Sequence, residues 1–503
     1  MFYTLKRTIY TRFHNLTFFS DFWPIFRLYI LKSNWNNDLV HRLHRSIVSQ
    51  RPVVMENILA NSETQEPHEQ AIIESIHDDE ILEYAGEGND TNSDQIRLIP
   101  SLSSSPLGPV ANLCSATLGA GVLSLPFGFY QAGLVGGCVL LLLSAVSVLI
   151  SIDLLVKATI HYKCKTYEDL IQTALGKSAR IVTEASILIF CLGCSTAYLI
   201  SIGDIVGLLF GLNYRTDAML FIFATICLPL SLLRLMTSLQ LASSIGFFST
   251  ALLVLNAVMH FLSSSNHAPI KSILWPCSGP MSLLRGCPIF LFAFSCQINV
   301  CQIYDELSPS SRPKFQGMTG LAVFLCFILY SSVGVFSLLD FGDAIDANIL
   351  LNYHPQDSFL TQAAFGGMAV AVICAFPVNI FPARITLEGF LAQWRATNVL
   401  TNIDLVEPLL NGPHEHHTPS PWVEHVLLTL LLTGTSLLLA LILPDISIVF
   451  GVLGGVPSSL IGFVLPGMLG ILMGETTKGY ILVIGGSLIG IATTCVTICS
   501  VML

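Results

Sequence analysis

Pro109-Val-Ala-Asn112-Leu-Cys-Ser115-Ala-Thr-Leu118-Gly119-Ala120-Gly121-Val122-Leu-Ser-Leu-Pro126 is an apolar stretch with an interruption in its middle. A helix crossing a bilayer has no water to satisfy freed backbone groups. A glycine pair with polar neighbours at mid-depth is therefore tolerated only against protein or a water-filled cavity. The surrounding chain supplies that membrane setting. Hydrophobic residues make up 53% of it, charged residues 11%, and the mean hydropathy is +0.69. About a quarter of the residues of an ordinary soluble domain are charged.

Apolar stretches near 20 residues or longer number eleven: 107–128, 133–157, 181–210, 217–236, 240–264, 286–304, 317–339, 360–383, 422–443, 446–473 and 479–502. Lys and Arg orient them. With the residues before the first span in the cytosol, the inside loops and helix ends hold Lys157, Lys163, Lys165, Arg180, Arg312, Lys314, Arg395 and Lys478 among others. The outside ones hold Arg215, Lys271 and Arg285, as the positive-inside rule requires.

The net charge of −10 comes largely from residues 56–94, which carry twelve acids and no Lys or Arg. Weakly hydrophobic sequence of one charge sign reads as a solvated, disordered cytosolic tail, and gives no sign of a nucleic-acid partner. Residues 1–54 are basic and aromatic instead. A targeting presequence, a membrane-surface helix and an extension upstream of a true start at Met55 all suit them; the abrupt change at Met55-Glu56 favours the last. The domains are then an extension over 1–54, an acidic tail over 55–105 and a membrane domain over 106–503.

Most of the fourteen cysteines fall inside spans, where Cys packs as a small apolar residue. Cys277 and Cys287 share the outer side and are the candidate disulfide. His414, Glu415, His416 and His417 lie in a Pro-rich inside loop with nothing to fix ligand geometry, so no metal site is expected there. No cofactor is expected either. The sequons at Asn15 and Asn89 fall on the cytosolic side, away from glycosylation.

Five spans after the first interruption stands a second: Phe290-Leu-Phe-Ala-Phe-Ser295-Cys-Gln297-Ile-Asn299-Val-Cys-Gln302 places hydroxyl and amide groups midway along a short apolar segment. Interrupted helices at matching positions of two five-span halves mark an inverted repeat, and in secondary transporters such breaks hold the substrate. The fold class expected is all-α, a polytopic membrane protein of eleven transmembrane helices in a 5+5 inverted repeat, with helices 1 and 6 discontinuous.

The chain here resembles the amino acid/auxin permease family, and within it the sodium-coupled neutral amino acid transporter branch. The resembling residues span about 390 positions. They comprise Asn112 to Pro126, Thr166-Tyr-Glu-Asp-Leu170, Ala197-Tyr-Leu-Ile-Ser-Ile-Gly-Asp204, Leu228-Pro-Leu-Ser-Leu232, Gln297 to Leu307, Phe376-Pro-Val-Asn-Ile-Phe-Pro-Ala-Arg384, Val449-Phe-Gly-Val-Leu-Gly454 and Leu465-Pro-Gly467. The resemblance implies a LeuT-like fold and a small neutral amino acid as substrate, carried by alternating access in a plasma, vacuolar or lysosomal membrane.

An amino acid brings a carboxylate and an ammonium. Unwinding a helix exposes N–H groups at one half's start and C=O groups at the other half's end, which match those charges. The expected cradle is Leu118, Gly119, Ala120, Gly121 and Val122, with the glycines granting backbone freedom, and Ser295, Gln297 and Asn299 stand opposite. Tight helix packing is the competing role for the glycines.

In sodium-coupled relatives, a second Asn follows the first by three residues in span one, and a hydroxyl residue precedes the Pro of span eight. Here Asn112 is followed by Ser115, and Ile373 or Ala375 stands at the second place. Sodium is a hard cation that needs several oxygens, so the coupling ion is left between proton and sodium, and proton coupling or uncoupled exchange is favoured.

Asp153, Glu184 and Asp204 read as paired or snorkelling residues at span ends, and His260 as a satisfied interfacial histidine rather than a proton relay. Asn379, between Pro377 and Pro382, is expected to satisfy carbonyls those prolines free. No catalytic constellation is apparent at membrane depth. A sensor built on a carrier fold, or a carrier of another small solute, are the alternatives.

Overall fold

The computed structural model describes residues 107–119, 121–210, 215–233, 239–264, 267–275, 279–307, 309–356, 358–400, 422–443 and 445–502. Among them the secondary structure is helical throughout. The helices are α1 (Leu107–Thr117), α2 (Gly121–Tyr162), α3 (Tyr167–Leu175), α4 (Lys177–Phe210), α5 (Arg215–Ile222), α6 (Leu228–Ser231), α7 (Leu239–Ser263), α8 (Pro280–Ala293), α9 (Gln297–Asp305), α10 (Phe315–Phe341), α11 (Phe359–Leu400), α12 (Trp422–Ile442), α13 (Ile446–Gly455), α14 (Leu465–Leu472) and α15 (Thr476–Met502). The N-terminal extension, the acidic tail, the histidine-bearing loop and both sequons lie outside the described residues.

Nine helical segments among the described residues are long and apolar enough to cross a membrane. Two of the eleven expected spans fall outside that number for visible reasons. The span over 107–128 is cut after Thr117, and its second half runs on into α2. Where the span over 217–236 is expected, residues 215–231 form α5, the single π-helical turn Phe223–Cys227 and the four-residue α6 in place of one long helix.

At ~1.5 Å per residue the 42 residues of α2 would reach about twice the ~30 Å of a bilayer core. Gly133 divides them with φ 73° and ψ 162°, a backbone conformation open to glycine and strained for other residues. That divide coincides with the expected boundary between the first two spans.

The core is assembled by close helix contacts. α8 and α10 pack along α2, and α4 and α7 pack along α11. The ring of Phe129 lies between Gly137 and Gly334, where any Cβ would collide with it. A Cβ on Gly286 would lie 2.8 Å from the carbonyl oxygen of Gly128. One on Gly454 would overlap the Pro288 carbonyl. These glycines let α8 approach α2 and α13 at backbone distance. Large apolar side chains such as Leu143, Phe324, Leu431 and Ile491 are exposed, as lipid-facing residues are.

Candidate functional site

The two breaks sit against each other. α1 ends at Thr117 and α2 begins at Gly121; α8 ends at Ala293 and α9 begins at Gln297. Each break therefore exposes a carbonyl-bearing end and an N–H-bearing start. Tyr330 of α10 joins them: its hydroxyl lies 2.8 Å from the Thr117 carbonyl oxygen and 2.9 Å from that of Ala293. One proton is shared between two acceptors, at the ends where both half-helix dipoles are negative.

The first break carries two glycines. Neither has a positive φ, so the turn does not depend on glycine's conformational range. A Cβ on Gly121 would lie 3.2 Å from the Phe292 ring and 3.3 Å from the Ala293 Cα; Gly121 is the contact between the two broken helices. A Cβ on Gly119 would meet only the Tyr198 hydroxyl, at 3.5 Å. Leu118 and Val122 are buried in the core, and Ala120 lies outside the described residues.

The second break faces a small recess of about 10 Å³ between α9, α4 and the π-helical turn Leu460–Val464, lined by Phe190, Ser295, Gln297, Ile298, Ser458, Ile461 and Gly462. None of the first-break residues lines it. Asn299 is exposed on α9 and lines no part of it either. The side-chain oxygen of Gln297 accepts the Cys296 N–H at 3.0 Å. Gln297 is 2% exposed and Ser458 1%, and the Gln297 amide nitrogen and Ser458 hydroxyl have no hydrogen-bond partner among the described residues. A buried donor left in that state costs about 1–3 kcal/mol. π-helical turns frequently accompany functional sites. The Ile461 and Gly462 carbonyls of this one accept from Tyr167 at 2.8 Å and Ser151 at 2.5 Å. Phe292 stacks on Phe450 at 4.6 Å and meets Phe190 at 5.6 Å, which gives the recess an aromatic border.

The weaker candidates resolve differently. The side chains of Asn112 and Ser115 lie outside the described residues. The Ala375 carbonyl accepts from Asn379 Nδ2 at 3.2 Å, and that amide also approaches the Tyr198 hydroxyl at 3.4 Å. The carbonyl left by Pro377 belongs to Ile373, so Asn379 does not fill the gap expected of it. Cys277 lies outside the described residues. Cys287, expected as its disulfide partner, is a free thiol buried on α8.

Carboxylates near the helix ends are paired. Asp204 meets Arg215 at 2.7 Å and Asn348 at 2.9 Å, beside a larger recess of about 130 Å³ that also reaches Asp445. Glu184 meets Arg180 at 2.6 Å. Asp153 meets Lys157 and Lys478, each at 3.2 Å, and Lys157 meets Glu475 at 2.6 Å. Outside the spans, Lys157 holds the Glu475 carboxyl below its ordinary value, and burial pushes that of Glu168 on α3 up. His260 contacts the buried Asp340 at 2.5 Å. Among the described residues no group of three or more His, Cys, Asp or Glu could hold a metal ion.

Residues 103–500 match the family model described as transmembrane amino acid transporter protein. The chain belongs to that family. It is a multi-pass membrane carrier of amino acids rather than an enzyme. Sodium-coupled neutral amino acid transporter 7 of Danio rerio is 25% identical over 385 residues, covering 72% of this chain and 78% of its own. Vacuolar amino acid transporter 6 of Saccharomyces cerevisiae is 26% identical over 404 residues, covering 72% and 88%. An amino acid transporter of Arabidopsis thaliana is 28% identical over 397 residues, covering 74% and 76%. This transporter thus stands near several branches of the family at similar distances.

Tyr330, Tyr198 and Ser458 are the site residues that reading the sequence missed. Tyr198 lay within a recognised motif, whereas Tyr330 is a lone hydroxyl-bearing aromatic in an apolar helix.

Proposed function

We propose that the transporter carries small neutral amino acids by alternating access, with the substrate held at the two breaks of an eleven-helix 5+5 inverted repeat and without sodium coupling. The observation that carries this reading is the Tyr330 hydroxyl between the carbonyl ends of α1 and α8. It joins the two half-helix ends that would face a substrate ammonium. The Thr117 carbonyl oxygen also accepts the Gly119 N–H at 2.9 Å, so it is the Ala293 carbonyl oxygen that keeps a second lone pair for that ammonium, and the first turns of α2 and α9 supply N–H groups for the carboxylate.

Helix pairing supports the repeat. α8 packs on α2 as α1 packs on α10; α13 packs on α8 as α7 packs on α1; α12 packs on α4 as α6 packs on α11. Each pair maps onto its partner five spans along. The distribution of Lys and Arg between alternate loops supports a cytosolic N-terminus. The likeness to a relative named as a vacuolar transporter supports a vacuolar membrane, with the plasma membrane as the other reading.

Ion coupling turns on oxygen count. Alanine at 375 offers no hydroxyl, which leaves one side-chain oxygen fewer for the ion. Uptake of labelled neutral amino acids into proteoliposomes should be almost unchanged when choline replaces sodium, and an imposed proton gradient should drive it. A saturable, several-fold stimulation by sodium would overturn sodium independence.

A further inference from the structure

On the side that the Lys and Arg pattern marks as cytosolic, α3 carries a carboxylate cluster that substrate binding at the breaks leaves unused. α3 packs along α4 and also touches α9 and α14. Its Glu168 and Asp169, with Glu184 of α4, gather around one guanidinium, that of Arg180. Arg180 meets Glu184 Oε1 at 2.6 Å, Asp169 at 3.1 Å and Gln172 at 2.5 Å. Three negative charges thus share one positive charge. Glu184 is 3% exposed, and its other oxygen, Oε2, is buried with no hydrogen-bond partner among the described residues. A carboxylate oxygen without water or a donor is costly, and a proton taken up by the cluster relieves that cost. Glu168, half-buried beside it, is the group suited to take it: burial pushes its carboxyl up, and the charges of Asp169 and Glu184 add to the rise against the pull of Arg180. The other titratable groups facing Glu168 are Tyr167 on α3, Cys191 on α4 and Cys301 on α9. Tyr167 ties this cluster to the second break, since its hydroxyl donates to the Ile461 carbonyl at 2.8 Å and Ile461 lines the recess beside Gln297.

Resting on the reading that a proton gradient drives the carrier, we propose that Glu168, backed by Glu184, is its proton-binding site on the cytosolic side. The proton sits on the Glu168 carboxylate while α3 is packed against α9 and α4. It leaves to water when α9, the inner half of the second broken helix, moves off and the carboxyl is rehydrated. Only an O–H bond forms or breaks. Tyr167 and the π-helical turn join that event to the break where substrate is held.

The test compares two modes of transport of a labelled neutral amino acid in proteoliposomes with the membrane potential clamped. In wild type, an imposed difference of about one pH unit should sustain up to about tenfold accumulation at one proton per substrate. Glu168→Gln, a neutral copy of the protonated carboxyl, should exchange labelled for unlabelled substrate at equal pH yet accumulate none. Accumulation equal to wild type would overturn the site and leave proton coupling standing. A wild type that exchanges without accumulating would overturn proton coupling itself, and the site with it. Melting curves give a readout that does not depend on transport. With its carboxyl raised, folded Glu168 binds its proton more readily than the unfolded chain does, so that stabilisation is present below the ordinary value of about 4.3 and is lost as pH rises through the folded value. Wild type should therefore lose stability relative to Glu168→Gln as pH rises, and Glu184→Gln, which removes a neighbouring charge, should move the midpoint of that loss to lower pH. A difference between wild type and Glu168→Gln that is the same at every pH would overturn the site whether or not the variant transports.

Discussion

The two breaks interrupt their helices over stretches of equal length, 118–120 and 294–296, yet they are finished in different chemistry. The first is closed and apolar: Leu118 and Val122 are buried, Gly121 abuts Phe292 and Ala293, and the Thr117 carbonyl is taken by Tyr330. The second is polar and unsatisfied, with the buried Gln297 amide nitrogen and Ser458 hydroxyl without partners beside a small recess. A glycine pair in a membrane helix thus marks where two backbones meet as readily as where a ligand enters. Amide and hydroxyl groups at the matching depth mark the chemistry.

The strongest way to break this contrast is Gly121→Val. Its added methyls meet the Phe292 ring and the backbone of Ala293, and the β-branch stiffens the turn. Overpacking of this kind costs about 1–3 kcal/mol, so thermal stability in detergent should fall and transport should be lost. Gly119→Ala, whose Cβ makes only an ordinary 3.5 Å contact with Tyr198, should keep much of both. Normal transport by Gly121→Val would show that the breaks need not touch.

Tyr330→Phe comes next. It removes the one proton serving both carbonyl ends and leaves one of them buried and unpaired, for about 1–3 kcal/mol, with slower uptake. Chemical denaturation of the purified carrier would measure it, and an unchanged midpoint would mean that the bridge contributes nothing. Ser458→Ala at the second break should have the opposite sign in the absence of substrate. It deletes a hydroxyl that has no partner, so stability should hold or rise by up to about 1 kcal/mol.

Sequence reading reached the fold where the physics is local. Both breaks were legible because glycine at 119 and 121, and Ser295 to Gln297, are anomalous inside apolar runs. The pairing of Glu184 with Arg180 was legible as an i,i+4 contact. Tyr330 was not: its partners lie 213 and 37 residues away, and no periodicity connects them. Ser458 was hidden for a related reason. It precedes a π-helical turn, which leaves no mark in an apolar sequence. Gly121 was singled out in the sequence but its neighbour was not, since only the packed structure places Phe292 beside it.

The smallest effect concerns how firmly each broken helix is held at the end far from its break. α2, which starts at the first break, ends with Lys157 bound to Glu475 at 2.6 Å and to Asp153 at 3.2 Å. α9, which starts at the second, ends in looser pairs of Asp305 with Lys165 at 3.6 Å and Arg312 at 3.8 Å. Because Lys157 lowers the Glu475 carboxyl, the folded state binds that proton less readily than the unfolded one. The resulting stabilisation is present above the ordinary carboxylate value of about 4.3 and is lost as pH falls below it through the folded value. Melting curves of the wild type and Glu475→Gln should therefore differ slightly at neutral pH and converge as the sample is acidified below about pH 4.3. A gap that stays constant across that range would mean that the tether acts through packing, and α2 would then be held no differently from α9.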